Sequence, residues 1–136
     1  MKEQIKSYYG ELDYNCAESV IRSANDYYSL GVPEEGLKLM SAFGGGLCCG
    51  KTCGAVCGAM AAFGKCAVGE RAHATEGFKE RCIELMERFE AELGTVSCAI
   101  LKEQYFNEDV RCIAVVERVS KVFEQYMNEY LEETKA

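Results

Sequence analysis

Apolar residues recur at intervals of three and four along most of the chain, and this spacing predicts helices. The last helix is the clearest, because its opposite face carries charged and amide side chains. Its apolar face consists of Cys112, Val115, Val116, Val119, Val122, Phe123, Tyr126 and Tyr130. Asn107 is its predicted N-cap. A second amphipathic helix is predicted from about Thr75 to Leu93, with Gly94 ending it.

The first third of the chain also carries helix signals. Asn15 followed three residues later by Glu18 indicates a capping box, so a helix is predicted from Cys16 to about Leu30. Pro33 suits the first turn of a short helix that continues to Met40. The glycines between residues 43 and 52 predict a loop instead.

A helix of small residues follows this loop, from Cys53 to Phe63, with Thr52 as its predicted N-cap. Glycine and alanine let a neighbouring backbone approach closely, so we place this helix at the centre. No segment alternates apolar and polar residues as a strand would. The predicted fold is therefore all-α, a compact bundle of about five or six helices around a Gly/Ala/Cys-rich helix, in one domain over residues 1–136.

Charge and hydropathy exclude several classes of protein. The 15 Lys and Arg residues are outnumbered by 22 Asp and Glu residues, and the net charge of -7 disfavours nucleic acid as a partner. The opening residues lack an apolar signal core, and no apolar run has the roughly 20 residues that cross a bilayer. We expect a cytoplasmic protein without membrane insertion.

Cysteine is the compositional outlier, with nine residues against a single His. In a reducing compartment, clustered cysteines are more often redox groups or metal ligands than structural disulfides. Cys16, Cys53 and Cys98 each follow a residue that favours an N-cap, so all three are predicted in the first turn of a helix. Backbone N–H groups there would lower the thiol pKa. Cys112 is expected inside the last helix, facing inward.

A second cluster, formed by Cys48, Cys49, Cys53 and Cys57, places four sulfurs within ten positions. This density suits an iron–sulfur cluster or another thiolate-bound metal, although the spacing matches no familiar ligand motif. Gly54 and Gly58 leave room beside these thiols, so Cys48, Cys49, Cys57, Gly54 and Gly58 are the candidate cofactor-binding residues.

The segment Gly45–Thr52 matches the phosphate-loop pattern G-x4-G-K-[ST]. A nucleotide-binding loop of this type follows a buried strand, whereas the residues before Gly45 predict a helix. Nucleotide binding is therefore a remote alternative.

Several segments together resemble the C_GCAxxG_C_C family of redox-active proteins. The resemblance lies in Asn15–Ser19, the Phe43–Gly46 loop, Cys53–Ala59, the step from Gly94 to Leu101, and Cys112. It implies a redox or metal role for four sulfurs, those of Cys16, Cys53, Cys98 and Cys112. The additional thiols leave open whether the site is this set of four, the loop cluster, or a merger that shares Cys53.

We therefore predict a redox-active protein in which Cys16, Cys53, Cys98 and Cys112 are the catalytic thiols or the ligands of a metal. Thiol/disulfide electron transfer as an oxidoreductase with an unidentified redox partner is the favoured function. The alternatives are an iron–sulfur or other metal-binding protein, and a non-enzymatic homodimer whose cysteines are structural.

Overall fold

The computed structural model describes residues 1–135, and within them the regular secondary structure is helical, without a named strand. α1 spans Lys2–Ile5 and continues as wider helical turns to Glu11. The other α-helices are α2 (Cys16–Tyr28), α3 (Glu34–Leu37), α4 (Gly54–Ala67), α5 (Phe78–Leu93), α6 (Cys98–Tyr105) and α7 (Ile113–Glu133). The prediction of an all-α bundle is confirmed.

α4 lies at the centre of the bundle, as its small residues predict. It packs most extensively against α2 and also contacts α5 and α7. A Cβ added to Gly58 would lie 2.6 Å from the carbonyl oxygen of Ala17, so only glycine permits this close crossing of α4 and α2. Farther along α4, Phe63 is fully buried and stacks on Phe78 of α5, with ring centroids 5.8 Å apart.

Several helix boundaries differ from the predictions. α2 ends at Tyr28, because Ser29 turns left-handed with φ 52°, before the predicted stop at Gly31. α5 begins at Phe78, three residues after the predicted start near Thr75, and ends at Leu93 with Gly94 as its C-cap, as predicted. Pro33 is the N-cap of α3, and the chain continues as a tighter 3-10 helix over Lys38–Phe43.

The predicted N-cap at Asn107 is wrong. The side-chain oxygen of Asn107 accepts hydrogen bonds from the N–H groups of Asp109 and Val110, so this residue closes a turn. The chain then reverses through Arg111, which has a left-handed φ of 53°, and α7 begins only after Cys112.

The glycine-rich segment between residues 43 and 53 is irregular, as predicted. Gly45, Gly46, Leu47 and Cys48 all have positive φ angles, so the backbone coils through a left-handed turn. A Cβ on Gly46 would lie 2.6 Å from both the Cβ of Cys98 and the backbone nitrogen of Lys51. This glycine therefore lets the loop pack directly on the start of α6.

No helix within residues 1–135 combines the length and the apolar character that crossing a membrane would require.

Candidate functional site

The start of α2 fixes the position of Cys16. Asn15 is the N-cap, its side-chain oxygen accepts from the Glu18 N–H at 2.9 Å, and the Glu18 carboxylate accepts from the Asn15 N–H at 3.0 Å. This confirms the predicted capping box. The Asn15 amide also donates to the carbonyl of Ser41, which ties the start of α2 to the segment before the glycine-rich loop. Cys16 is therefore the first residue of a doubly anchored helix.

A short backbone pairing places Cys53 beside Cys98. Thr52 and Ser97 form an isolated antiparallel bridge, and the N–H groups of Cys53 and Cys98 each donate a 2.7 Å hydrogen bond across it. Each cysteine directly follows a bridged residue, so both side chains lie on the same face of the pairing. Both thiols are buried.

Tyr9, at the end of the first helical segment, holds Cys112. The Cys112 N–H donates to the Tyr9 hydroxyl oxygen at 3.0 Å. The Arg111 guanidinium donates to the Tyr9 carbonyl and lies 4.0 Å from the centroid of the Tyr9 ring. Tyr9 is only 5% exposed, so these buried contacts fix Arg111 and Cys112, the two residues that precede α7.

These four cysteines line one cavity of about 180 Å³. Its walls are mainly apolar, and Tyr9, Lys102 and Arg111 add polar groups. The apolar lining includes Ala55, Leu101, Phe106, Val115 and Val116. The structure thus brings together Cys16, Cys53, Cys98 and Cys112, which are far apart in the sequence.

Each of the four cysteines lies at the start of a different helix. Cys16 and Cys98 are the first residues of α2 and α6, as predicted. The sequence predicts Thr52 as the N-cap of α4, but the N-cap is Cys53 and the helix begins one residue later than predicted, at Gly54. Thr52 belongs to the backbone bridge instead. The prediction that Cys112 lies inside the last helix is wrong, because Cys112 is the N-cap of α7.

The predicted lowering of the thiol pKa is wrong for three of these residues. Burial raises the pKa of Cys53 to about 11, although the backbone N–H groups of Val56 and Ala55 act in the opposite direction. Burial also raises the pKa of Cys98 and of Cys112. Desolvation disfavours the thiolate more than the helix N-termini favour it. These thiols are therefore protonated at neutral pH.

The four thiols also influence one another. A negative charge on Cys16 raises the pKa of Cys53, Cys98 and Cys112 further, after the effect of burial. The positive charge of Lys102 lowers the pKa of Cys98 and Cys112. A thiolate that forms on one cysteine therefore makes its neighbours keep their protons.

Gly54 allows Cys16 to approach α4. A Cβ on Gly54 would lie 2.5 Å from the Cys16 sulfur and 2.6 Å from the carbonyl oxygen of Phe43. Gly54 lines the cavity, whereas Gly58 packs against α2 and does not. Of the two glycines predicted to make room for a cofactor, only Gly54 lies at the thiol cavity.

The other cysteines of the loop cluster lie outside the cavity. Cys48 and Cys49 are exposed, and their sulfurs lie 3.7 Å from the carbonyl oxygens of Ala42 and Gly46. Cys57 is half-buried on α4 and does not line the cavity. The structure therefore gathers the set of four, and of the five predicted cofactor-binding residues only Gly54 lines the cavity.

The phosphate-loop match lacks its structural context. The 3-10 helix over Lys38–Phe43 precedes Gly45, and no strand occurs within residues 1–135. The start of α4 that follows the loop is occupied by Cys53 and the cavity thiols. Nothing in this geometry supports nucleotide binding.

Metal ligation has no geometric support in the described part of the chain. Within residues 1–135, no three His, Cys, Asp or Glu side chains are arranged to hold a metal ion. All nine cysteines are free thiols.

Sequence reasoning missed three polar residues of the cavity. Tyr9, Lys102 and Arg111 come from separate segments, and none belongs to a motif. The position of Arg111, directly before Cys112, is the only signal that the sequence offers. This position does not place Arg111 at the cavity until the turn before α7 is known.

Comparison with protein families gives one match. A family model described as "Putative redox-active protein (C_GCAxxG_C_C)" matches residues 14–126, which is most of the chain. No curated protein and no solved structure matched. The matched stretch contains all four cavity cysteines, but it begins after Tyr9.

Proposed function

The chain belongs to the C_GCAxxG_C_C family of redox-active proteins, and we propose that its cavity cysteines react in pairs. Each pair interconverts between two free thiols and one disulfide. The observation that carries this proposal is the convergence of four helix starts, each with a cysteine, on one cavity. Thiols that are far apart in the sequence line the same cavity there.

The difference in burial suggests separate roles for the four thiols. Cys16 and Cys112 are half-buried, whereas Cys53 and Cys98 are buried. We assign to Cys16 and Cys112 the first contact with an oxidant, because a substrate entering the cavity can reach them. Cys53 and Cys98 then supply the second thiol, which closes the intramolecular disulfide.

The helix starts support the thiolate while it reacts. Unpaired N–H groups and the positive end of a helix dipole stabilise negative charge at such positions. At Cys53 the N–H groups of Val56 and Ala55 have this effect. Burial keeps the thiols of Cys53, Cys98 and Cys112 protonated in the resting protein. The N–H groups at the helix starts therefore stabilise the thiolate at the moment when a thiol loses its proton to react.

The test is a redox titration of the whole protein in mixtures of oxidised and reduced dithiothreitol. Free thiols at each potential are alkylated and located by mass spectrometry after digestion. We expect one cooperative two-electron transition, with protection from alkylation confined to Cys16, Cys53, Cys98 and Cys112. The transition should be lost when both buried thiols are replaced, in the variant carrying Cys53→Ala and Cys98→Ala.

A matched variant separates this role from a general effect of removing cysteine. Cys66→Ala and Cys82→Ala replace half-buried thiols that do not line the cavity, and both should keep the transition. Circular dichroism of each variant checks that the helices remain. If the cavity thiols stay alkylatable at every potential, the proposal is wrong and a structural role for the cysteines is favoured.

A further inference from the structure

The charge around the thiol cavity is opposite in sign to that of the chain as a whole. The chain has a net charge of -7, yet the charged residues that line the cavity are Lys102 and Arg111. No Asp or Glu of residues 1–135 lines it. The Lys102 ammonium forms no ion pair in this part of the chain. The one carboxylate near Arg111 in residues 1–135 is that of the exposed Asp13 at 3.8 Å, and the guanidinium also donates to the Tyr9 carbonyl.

Cys98 and Cys112, the cavity thiols on which Lys102 acts, do not neutralise these cations in the resting protein. Burial raises the pKa of Cys98 and Cys112, so both are uncharged at neutral pH. Lys102 and Arg111 therefore supply positive charge to a cavity whose Cys98 and Cys112 thiols are uncharged. Such an arrangement attracts a negatively charged group, and the low polarity of the walls strengthens the attraction.

The cavity also offers a hydrogen-bond donor beside the thiols. The Tyr9 hydroxyl accepts from the Cys112 N–H, and its own hydrogen has no acceptor within residues 1–135. Burial raises the pKa of Tyr9, so the hydroxyl keeps its proton. A buried hydroxyl that still has a hydrogen to donate favours an acceptor atom on a ligand.

The size of the cavity limits that ligand to a small molecule. A volume of about 180 Å³ is below the range of drug-sized pockets, and its walls include Leu101, Val115 and Val116. A ligand that fits has a short apolar body beside the sulfurs and one charged group toward Lys102 and Arg111.

We propose that the substrate of the thiol cavity is a small anionic disulfide, with a carboxylate or sulfonate that Lys102 and Arg111 bind. This inference rests on the proposed thiol redox function and adds the chemical class of its substrate. It concerns the charge and size of the molecule that reacts, which the thiols alone do not determine.

The reaction balances without any further reagent. One cavity cysteine attacks a sulfur of the substrate as a thiolate, the substrate S–S bond breaks, and one half leaves while a mixed disulfide remains. A second cavity cysteine attacks the protein sulfur of that bond and releases the other half. Two electrons pass to the substrate, the protons of the two protein thiols end on the two released thiols, and the protein retains one disulfide.

Methanethiosulfonates of different charge test this proposal directly, because each transfers its thioalkyl group to a thiol and releases methanesulfinate. We would compare the anionic sulfonatoethyl reagent with the cationic trimethylammonioethyl reagent, and measure the labelling rate of each cysteine by mass spectrometry. The rate ratio of the two reagents cancels the thiolate fraction at each cysteine. Exposed Cys48 and Cys49 are internal references outside the cavity.

We expect the anion-to-cation rate ratio at the cavity cysteines to exceed that at Cys48 and Cys49 by about tenfold. Lys102→Gln should reduce this excess by about threefold, and Lys102→Glu should abolish it, since each removes positive charge from the rim. Lys102 and Lys79 are both exposed, so Lys79→Gln is the matched control for net charge and should leave the excess unchanged.

Equal ratios at cavity and exposed cysteines, or an excess that survives Lys102→Glu, would overturn the proposal. These results are distinguishable from failure of the thiol redox function. The titration with dithiothreitol, an uncharged reagent, would still show a cavity disulfide if only the substrate class were wrong. If the titration shows no disulfide, the redox proposal fails whatever the labelling ratios are.

Discussion

Two sets of four cysteines in this protein behave in opposite ways. Cys48, Cys49, Cys53 and Cys57 lie within ten positions of the sequence, but only Cys53 lines the cavity. Cys16, Cys53, Cys98 and Cys112 come from four separate segments and line one cavity. Closeness in the sequence therefore does not assemble the site.

The helix starts explain this difference. A helix start has a defined backbone direction, and α2, α4, α6 and α7 begin around the same cavity. A cysteine at each of these helix starts therefore lines the cavity. The loop cysteines instead follow a backbone with left-handed residues, which turns Cys48 outward. What matters is the structural position of a thiol within its element.

Gly54→Ala should have the largest effect on the packing around the four cavity cysteines. The added Cβ would lie 2.5 Å from the Cys16 sulfur and 2.6 Å from the Phe43 carbonyl, so α2 and α4 must separate locally. We expect a loss of about 3 kcal/mol in the free energy of unfolding, measured with urea. Gly64→Ala on the same helix meets nothing closer than 3.9 Å and should stabilise the protein slightly. Equal stability of the two variants would contradict the close approach.

The pH dependence of stability should expose the burial of Cys53. Its pKa is about 11 in the folded protein, above the ordinary value of 9.0. The unfolded chain therefore ionises first, and stability is full below about pH 9 and declines as the pH rises toward the folded value. We expect a loss of about 2 kcal/mol across this range. Burial also raises the pKa of Cys98 and Cys112, so Cys53→Ala should keep part of the decline. Urea unfolding at both ends of the range should show a decline about 2 kcal/mol smaller in Cys53→Ala than in wild type.

Tyr9→Phe tests the support of the cavity from outside the matched family region. It removes the acceptor of the Cys112 N–H, which then has no partner at a half-buried position. We expect a loss of about 1 to 2 kcal/mol in the free energy of unfolding and faster alkylation of Cys112. Tyr105→Phe is the control, because no hydrogen bond from its hydroxyl occurs within residues 1–135. A Tyr9 variant as stable as this control would remove the proposed support.

The double variant Cys48→Ser and Cys49→Ser should have the smallest effect. Both side chains are exposed, so the free energy of unfolding should change by less than about 0.5 kcal/mol. The redox transition should also be unchanged. A shift of that transition would mean that the loop thiols exchange with the cavity, and the contrast between the two sets would then be wrong.

The sequence predicts most of the helices and two of the four cysteine positions, those of Cys16 and Cys98, because these features are local. The capping box of Asn15 and Glu18, the N-cap at Ser97 and the stop at Gly94 each depend on residues within one turn. The small residues of α4 likewise predict its central place. Local rules suffice wherever the backbone partners are close in the sequence.

The remainder depends on contacts between distant segments. Cys53 becomes an N-cap because Thr52 pairs with Ser97, and no sequence rule anticipates one isolated bridge. The pKa directions of the thiols depend on how deeply the cavity is buried, which helix starts alone do not determine. Tyr9 reaches Cys112 across the whole fold, so its role is invisible before folding is known.

Because the thiols lie on four different helices, forming a disulfide between them would change the stability of the whole fold. Any cross-link among them would join two different helices and restrict the unfolded ensemble, an effect of about 3 to 5 kcal/mol depending on which pair closes the loop. Oxidised protein would then melt at a higher temperature than reduced protein. The melting temperature would then report the oxidation state of the cysteines.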